Sequence, residues 1–383
     1  MTAQGLRRSI VLALVAALLA LLLVRVQNGK PQASHSVGAQ VPADSDGDVD
    51  GAVAHEATAT APARSSTFQA DLAQASEVAL NMRCLAERNR HLLAQYRDTD
   101  PRRSPGDALD RLLATQAILS ADGIPDSELT AAIVDGRKRW PDDVELAWHS
   151  AVACRDKDGC HQQAAIAHLL RLEPDNAAAW VMAMTRAQRR DDVAGYERAL
   201  QGAAQSDHVD SHFGTVFIRL APLLARRRTS KECMPSAEDL ADAGHFLGHA
   251  PGRDDIAAFE AMALEMAIGL PAYQSLQGCS TESVAAFPRR RQACVATLTL
   301  FTQGDTLLAR RIGFTYLLPL VRGEPDDERL REAYRRHRWL MKLALEPLPP
   351  GVGLETIAFQ GEIESLRQRA IAAGQWPPPA DFD

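Results

Sequence analysis

The chain has 383 residues, 46% of them hydrophobic, 24% charged and only 5% aromatic. That balance excludes collagen-like, wholly disordered and polytopic membrane proteins. Lys and Arg number 42 against 49 Asp and Glu, so the net charge is −7 and nothing global draws the chain to nucleic acid. Arginine carries nearly all the basic charge, and with the many alanines this fits a GC-rich bacterial genome.

Arg7 and Arg8 precede an unbroken apolar run from Ile10 to Val24, which Arg25 closes. A basic stretch followed by an apolar helix is a membrane signal. The run is 15 residues long, at the border between a signal-peptide core and a spanning helix, and Leu6, Val26 and snorkelling arginines extend it. Val24-Arg25-Val26-Gln27-Asn28 lacks small residues for cleavage, and no cysteine follows for lipid attachment. Residues 1–26 are therefore expected to be an uncleaved transmembrane anchor, with a cleaved signal as the alternative. Both place the remainder outside the cytoplasm, and the anchored reading makes the chain a single-pass protein of a bacterial inner membrane with its C-terminal domain in the periplasm.

Residues 27–67 are rich in Ala, Ser, Pro, Gly and Asp without periodicity, a composition that cannot bury a core, and read as a disordered linker. Within it, Asp46-x-Asp48-x-Asp50-Gly51 resembles the first half of a calcium loop of the EF-hand type. The twelfth position, where that loop needs a bidentate Glu, is Ala57, so the segment reads as an acidic, soluble spacer.

From Phe68 apolar residues recur at spacings of three and four, as in Leu72, Ala75, Ala79, Met82 and Leu85. Alternating, β-branched runs are missing, so residues 68–350 are expected to form an all-α domain. Helix starts are marked by Ser104-Pro105-Gly106-Asp107, Pro125-Asp126-Ser127-Glu128, Ser236-Ala237-Glu238-Asp239 and Pro325-Asp326-Asp327-Glu328. Stops fall at Gly123, Gly159, Gly304 and Gly323. Such short turns imply antiparallel neighbours. Pro347, Pro349 and Pro350 end the domain. Residues 351–383 then read as one helix over Leu354–Ala373 and a Pro-rich tail that packs back through Trp376.

Trp140-Pro141-Asp142-Asp143-Val144-Glu145-Leu146-Ala147-Trp148 is echoed by Glu173-Pro174-Asp175-Asn176-Ala177-Ala178-Ala179-Trp180, with the prolines 33 and the tryptophans 32 residues apart. These periods resemble those of the tetratricopeptide family, whose helix pairs repeat at about 34 residues. Pro174-Asp175-Asn176 matches its turn, Trp148 and Trp180 its large aromatic, Ala151 and Ala183 its packing position, and Gly159 its inner turn. A fainter third unit carries Asp207 and Phe213. At the family's other small-residue position stand Gln162 and Tyr196. The resemblance implies antiparallel hairpins stacked as an α-solenoid over 129–206, with a concave surface for peptide or protein recognition and no assigned ligand residues.

All six cysteines lie beyond the anchor, an even number that fits pairing outside the cytoplasm. Cys154 and Cys160 straddle the turn of the first repeat and are the leading expected pair. Cys279 and Cys294 bracket a helix-breaking segment with Pro288, which leaves Cys84 for Cys233. The absence of Cys-x-x-Cys argues against thiol-disulfide exchange or a zinc ribbon.

His208 with His212, and His245 with His249, fall at i, i+4 spacing, which on a helix places two imidazoles on one face as candidate metal ligands. Neither pair holds the Glu of the zinc-protease motif, and phosphate-loop, dinucleotide and nucleophile-elbow motifs are missing. No cofactor or catalytic residue is therefore expected. Arg226–Arg228, Arg289–Arg291 and Arg335–Arg338 read as solvated faces paired with neighbouring acids. The leading functional expectation is a non-catalytic module for protein–protein interaction in the cell envelope, its partner an envelope protein or peptide. The alternative is a periplasmic enzyme: a metal-dependent hydrolase using the paired histidines, or a cell-wall-cleaving helical enzyme with a buried Glu.

Overall fold

The computed structural model describes residues 84–382, apart from 85–86, 93, 95–99, 120–125, 155–160, 228 and 349–351. The anchor Ile10–Val24, the linker 27–67 with Asp46–Gly51, the stripe from Leu72 to Leu85, Gly123, Gly159 and Cys160 lie outside the described residues. The chain divides into Met1–Asn81 and Met82–Asp383, and only the second unit is described. Its described residues are helical with no strand, and the sole bridge of β type among them joins Asn176 to His208.

After helical residues at 87–92 come three sequential helix pairs: α1 (Pro105–Leu119) with α2 (Asp126–Arg139), α3 (Val144–Ala153) with α4 (Gln162–Leu172), and α5 (Ala177–Arg189) with α6 (Val193–Gln205). Their starts follow the capping chemistry in the sequence. Ser104 Oγ accepts from Asp107 N at 3.0 Å, Asp143 from Leu146 N at 2.8 Å, Asn176 from Ala178 N at 3.0 Å and Asp192 from Gly195 N at 2.7 Å. Each satisfies a backbone donor that the helix itself leaves unpaired. α1 packs on α3 and α3 on α5, while α2 and α4 pack on the first helix of the next pair. The first helices thus border one common side, the inner face. Close approach there is permitted by Ala177, Ala178 and Ala179, all fully buried beside Leu146, Trp148 and Met184.

The chain continues through α7 (Thr215–Ala225), α8 (Ala237–Leu247), α9 (Arg253–Leu264), the short α10 (Thr281–Ala286), α11 (Arg291–Phe301), α12 (Leu307–Leu320), α13 (Asp327–Leu343), α14 (Leu354–Gln360) and α15 (Glu362–Ala372). The expected start of a third unit at Asp207 is instead a turn-back. Asp207 N and His208 N donate to Asp175 O, and Ala177 N donates to His208 O at 2.9 Å. α7 then packs mainly on α9 and also on α1. The place beside α6 is taken by α11, which pairs with α12, and α12 packs on α13. The succession of hairpins in space therefore departs from their order in the chain.

The arginine runs find acidic partners. Arg227 pairs with Glu260 at 3.0 Å, Arg290 with Glu197, Arg291 with Glu324, and Arg335 and Arg336 with Glu332. Cys84 is bonded to Cys233 and Cys279 to Cys294, with Cα separations of 5.2 and 5.4 Å. Cys154 is also disulfide-bonded, and no cysteine is free among the described residues. A second, smaller core joins Trp339, Leu340, Leu343, Ile363 and Leu366, with Trp376 and Phe382 of the tail folded onto it.

The single helix expected over Leu354–Ala373 is broken at Gly361, whose φ of 81° and ψ of 148° separate α14 from α15. Only glycine occupies that region without strain. Gly361→Ala is expected to lower stability by about 1–3 kcal/mol, and a urea midpoint unchanged from wild type would refute it.

Candidate functional site

Between α9 and α10 the chain runs as a strap, a π turn over Glu265–Gly269 and then a short 3-10 stretch over Tyr273–Cys279. It crosses the inner face, and the side chains that hold it come from the hairpins in order. Gln116 Nε2 of α1 donates to Ile268 O at 3.3 Å, and Trp148 Nε1 of α3 donates to Gly269 O at 3.3 Å. Thr185 Oγ1 of α5 donates to Ala272 O at 2.9 Å, and the Tyr196 hydroxyl of α6 donates to Ser275 O at 2.8 Å. All four of these acceptors are main-chain carbonyls, with one side-chain contact beside them, Thr185 Oγ1 to Ser275 Oγ at 3.0 Å, so the face grips mainly backbone. Affinity for the strap comes also from burial of Ile268, Leu270, Tyr273 and Leu276, each contributing about 1.5–3 kcal/mol. Tyr273 meets Phe301 of α11 edge to face at 5.6 Å. The space left between strap and hairpins, lined by Ala151, Met182, Thr185 and Pro271 among others, is about 10 Å³, at the limit for one water.

Strap geometry also explains a departure from the repeat pattern. Tyr196, standing where a small residue is expected, is buried and reaches across to the strap. Gly278 passes so close that a Cβ there would lie 2.1 Å from the Tyr196 hydroxyl. Gln162, the other departure, lines the residual gap. Sequence reasoning missed Gln116, Thr185 and Glu265, and the signal that pointed toward them was the large Tyr196 at a small-residue position.

At its start the strap is fastened by Glu265, which has no exposed surface. One carboxylate oxygen accepts from Phe217 N at 3.1 Å at the start of α7, and the other has no partner. Burial pushes this carboxyl up to about 7, although backbone N–H groups of Phe217, Gly214 and Val216 favour its charged form. Beside it, His212 lies between two carboxylates, with Nδ1 3.1 Å from Glu145 and Nε2 3.0 Å from Glu173. Its ring meets Trp148 at 4.6 Å. Burial opposes its charge, yet hydrogen bonds and charges from Glu145 and Glu173 raise it to about 10, so the ring is an imidazolium donating from both nitrogens. His149, fully buried one turn along from Glu145, is driven down to about 4 by burial and stays neutral.

The two histidine pairs do not share helical faces. His208 is in the turn-back, exposed and bonded to Asp207, whereas His212 has a φ of 52° that turns it inward. His245 is in the last turn of α8, and Gly248 at a φ of 73° ends that helix before His249. His249 faces its own loop, with Nδ1 3.0 Å from Ala250 O. Positive backbone angles thus interrupt the i, i+4 geometry in both places. Among the described residues no three His, Cys, Asp or Glu side chains are arranged to hold a metal ion. His245 and His249 border a shallow, open depression of about 650 Å³ with Leu240, Gly244 and Pro251.

Among the described residues no single helix is long and apolar enough to cross a membrane. One helix pair, α9 with the strap, reaches that length and apolarity only when taken together and bends by 49° at its break, and Ala257, Ala261, Leu264, Ile268 and Leu276 within it are buried in protein. Fold and site together define, over the described residues, an all-helical protein whose paired helices carry a strap of π and 3-10 turns of the same chain across one face. In comparisons with known families, curated proteins and solved structures, no family model, curated protein or solved structure matches the chain.

Proposed function

We propose that the chain is a single-pass, inner-membrane-anchored protein whose periplasmic domain, with tetratricopeptide-like hairpins over 129–206 stacked as an α-solenoid, mediates protein–protein interaction in the cell envelope without catalysis. The address rests on Arg7, Arg8 and the run from Ile10 to Val24, with paired cysteines in keeping with an oxidising compartment. The repeat reading rests on the echo between 140–148 and 173–180 and on the pairwise packing of α1 to α6.

The observation that carries the function is the strap. Four side chains, from α1, α3, α5 and α6, hold a segment of π and 3-10 turns by its carbonyls, which is the chemistry of a surface that binds polypeptide. A catalytic reading draws no support from geometry: Glu265 has no surface open to a substrate, and neither histidine pair shares a face.

The test places a photo-crosslinking amino acid at Gln162, beside the strap, in the full-length chain expressed in a bacterial membrane with the bond at the strap's end removed by Cys279→Ser, Cys294→Ser. The expected result is an adduct with one envelope protein that does not form from Arg329, an exposed position on α13. Absence of any adduct, together with turnover of a wall glycan or a small ester by the purified protein, would replace this reading with that of a periplasmic enzyme.

A further inference from the structure

We infer that residues 265–279 are a built-in ligand of the inner face, and that the Cys279–Cys294 bond is the latch that keeps them docked, closing the face to other apolar peptides. The inference rests on the reading of the inner face as a polypeptide-binding surface.

Three observations carry it. First, the strap is seated as a ligand is seated: its carbonyls at Ile268, Gly269, Ala272 and Ser275 meet donors from α1, α3, α5 and α6 in the same order. Leu270, Pro271, Tyr273 and Leu276 supply the buried apolar contacts. A competing peptide needs only to take up the same succession of turns with similar apolar side chains, because no donor reads a side-chain group exclusively.

Second, the two ends are fixed by different means. Glu265 holds the first end through backbone N–H groups of α7, but the burial of a carboxylate whose other oxygen is unpartnered works against docking. The last end is fixed covalently, since Cys279 terminates the strap and Cys294 lies on α11, at a sequence separation of 15. Third, both sulfurs are fully buried. The bond therefore forms as the strap seats and is shielded from thiols afterwards. Closure removes two protons and two electrons from the two thiols and passes them to an acceptor disulfide, which leaves as two thiols.

Release of a 15-residue cross-link favours local opening by about a hundredfold. Amide hydrogen exchange on the full-length chain tests this. In the double variant Cys279→Ser, Cys294→Ser the amides of 268–279 are expected to exchange about a hundredfold faster, while those of α3 and α5 keep wild-type rates. Tyr196→Phe, which removes the contact to Ser275 without touching a cysteine, is expected to speed the same amides by about tenfold. Wild-type rates over 268–279 in both variants, or a uniform loss of protection across strap and hairpins, would overturn the latch.

A fluorescent synthetic peptide with the sequence of residues 266–277 is then titrated into wild type and double variant. Binding by the variant alone supports both the latch and the peptide-binding reading. Fast strap exchange without any peptide binding keeps the latch and overturns the peptide-binding reading.

Discussion

Trp148→Ala is expected to destabilise the helical domain by about 3–5 kcal/mol, the largest effect of any single substitution on the inner face. Trp148 is the largest fully buried side chain among the described residues. Truncation removes its packing and leaves a cavity that close-packed helices fill only in part. It also strips the hydrogen bond from the Gly269 carbonyl, in a place that water does not reach. The contact of its ring with His212 at 4.6 Å is lost as well. Trp180 provides the comparison: it occupies the equivalent position one period later, yet it is only partly buried and donates to Pro174 O, near the surface. Its alanine variant is expected to cost about half as much. Urea unfolding followed by circular dichroism measures both, and equal midpoint shifts would refute the special place of Trp148.

His212→Ala is expected to cost about 3 kcal/mol at pH 7, because Glu145 and Glu173 are left facing each other without the cation between them. The pH dependence separates this from ordinary packing loss. The imidazole is raised from 6.5 to about 10 in the folded protein, so its stabilisation is complete below pH 6.5 and is lost as pH rises through 10. His149, lowered to about 4, contributes above pH 6.5 and loses its contribution as pH falls through 4. Glu265, raised to about 7, contributes fully below 4.5 and has lost its contribution once pH passes 7. Between pH 7 and 10 the titration of His212 therefore stands clear of those two. Wild type is expected to lose stability steadily across that window and His212→Ala to lose much less. Parallel pH profiles for the two proteins would exclude the ion-paired role of His212.

Helix content and helix starts were legible because the signals are local. Ser104 and Ser236 each cap the helix that they precede, and helices begin at Asp126 and Asp327 as read, because capping needs only the next three residues. The break at Gly361 was not legible, since apolar periodicity continues across it and a single glycine is tolerated within a helix. Nor did spacing reveal the fate of the histidines. An i, i+4 pair predicts a shared face only if the backbone is helical throughout, and His212 and Gly248 both have positive φ.

The candidate site shows the same division more sharply. From sequence alone came an all-helical chain with paired helices, two tryptophans one period apart, and Tyr196 standing where a small residue was expected. The tertiary structure decided that the Tyr196 hydroxyl meets a carbonyl 79 residues away, that α11 rather than the next helix in sequence packs on α6, and that the strap fills the inner face. Periodicity and capping report on neighbours within a turn or two, whereas the strap is held by main-chain carbonyls, which every residue carries and no residue type announces.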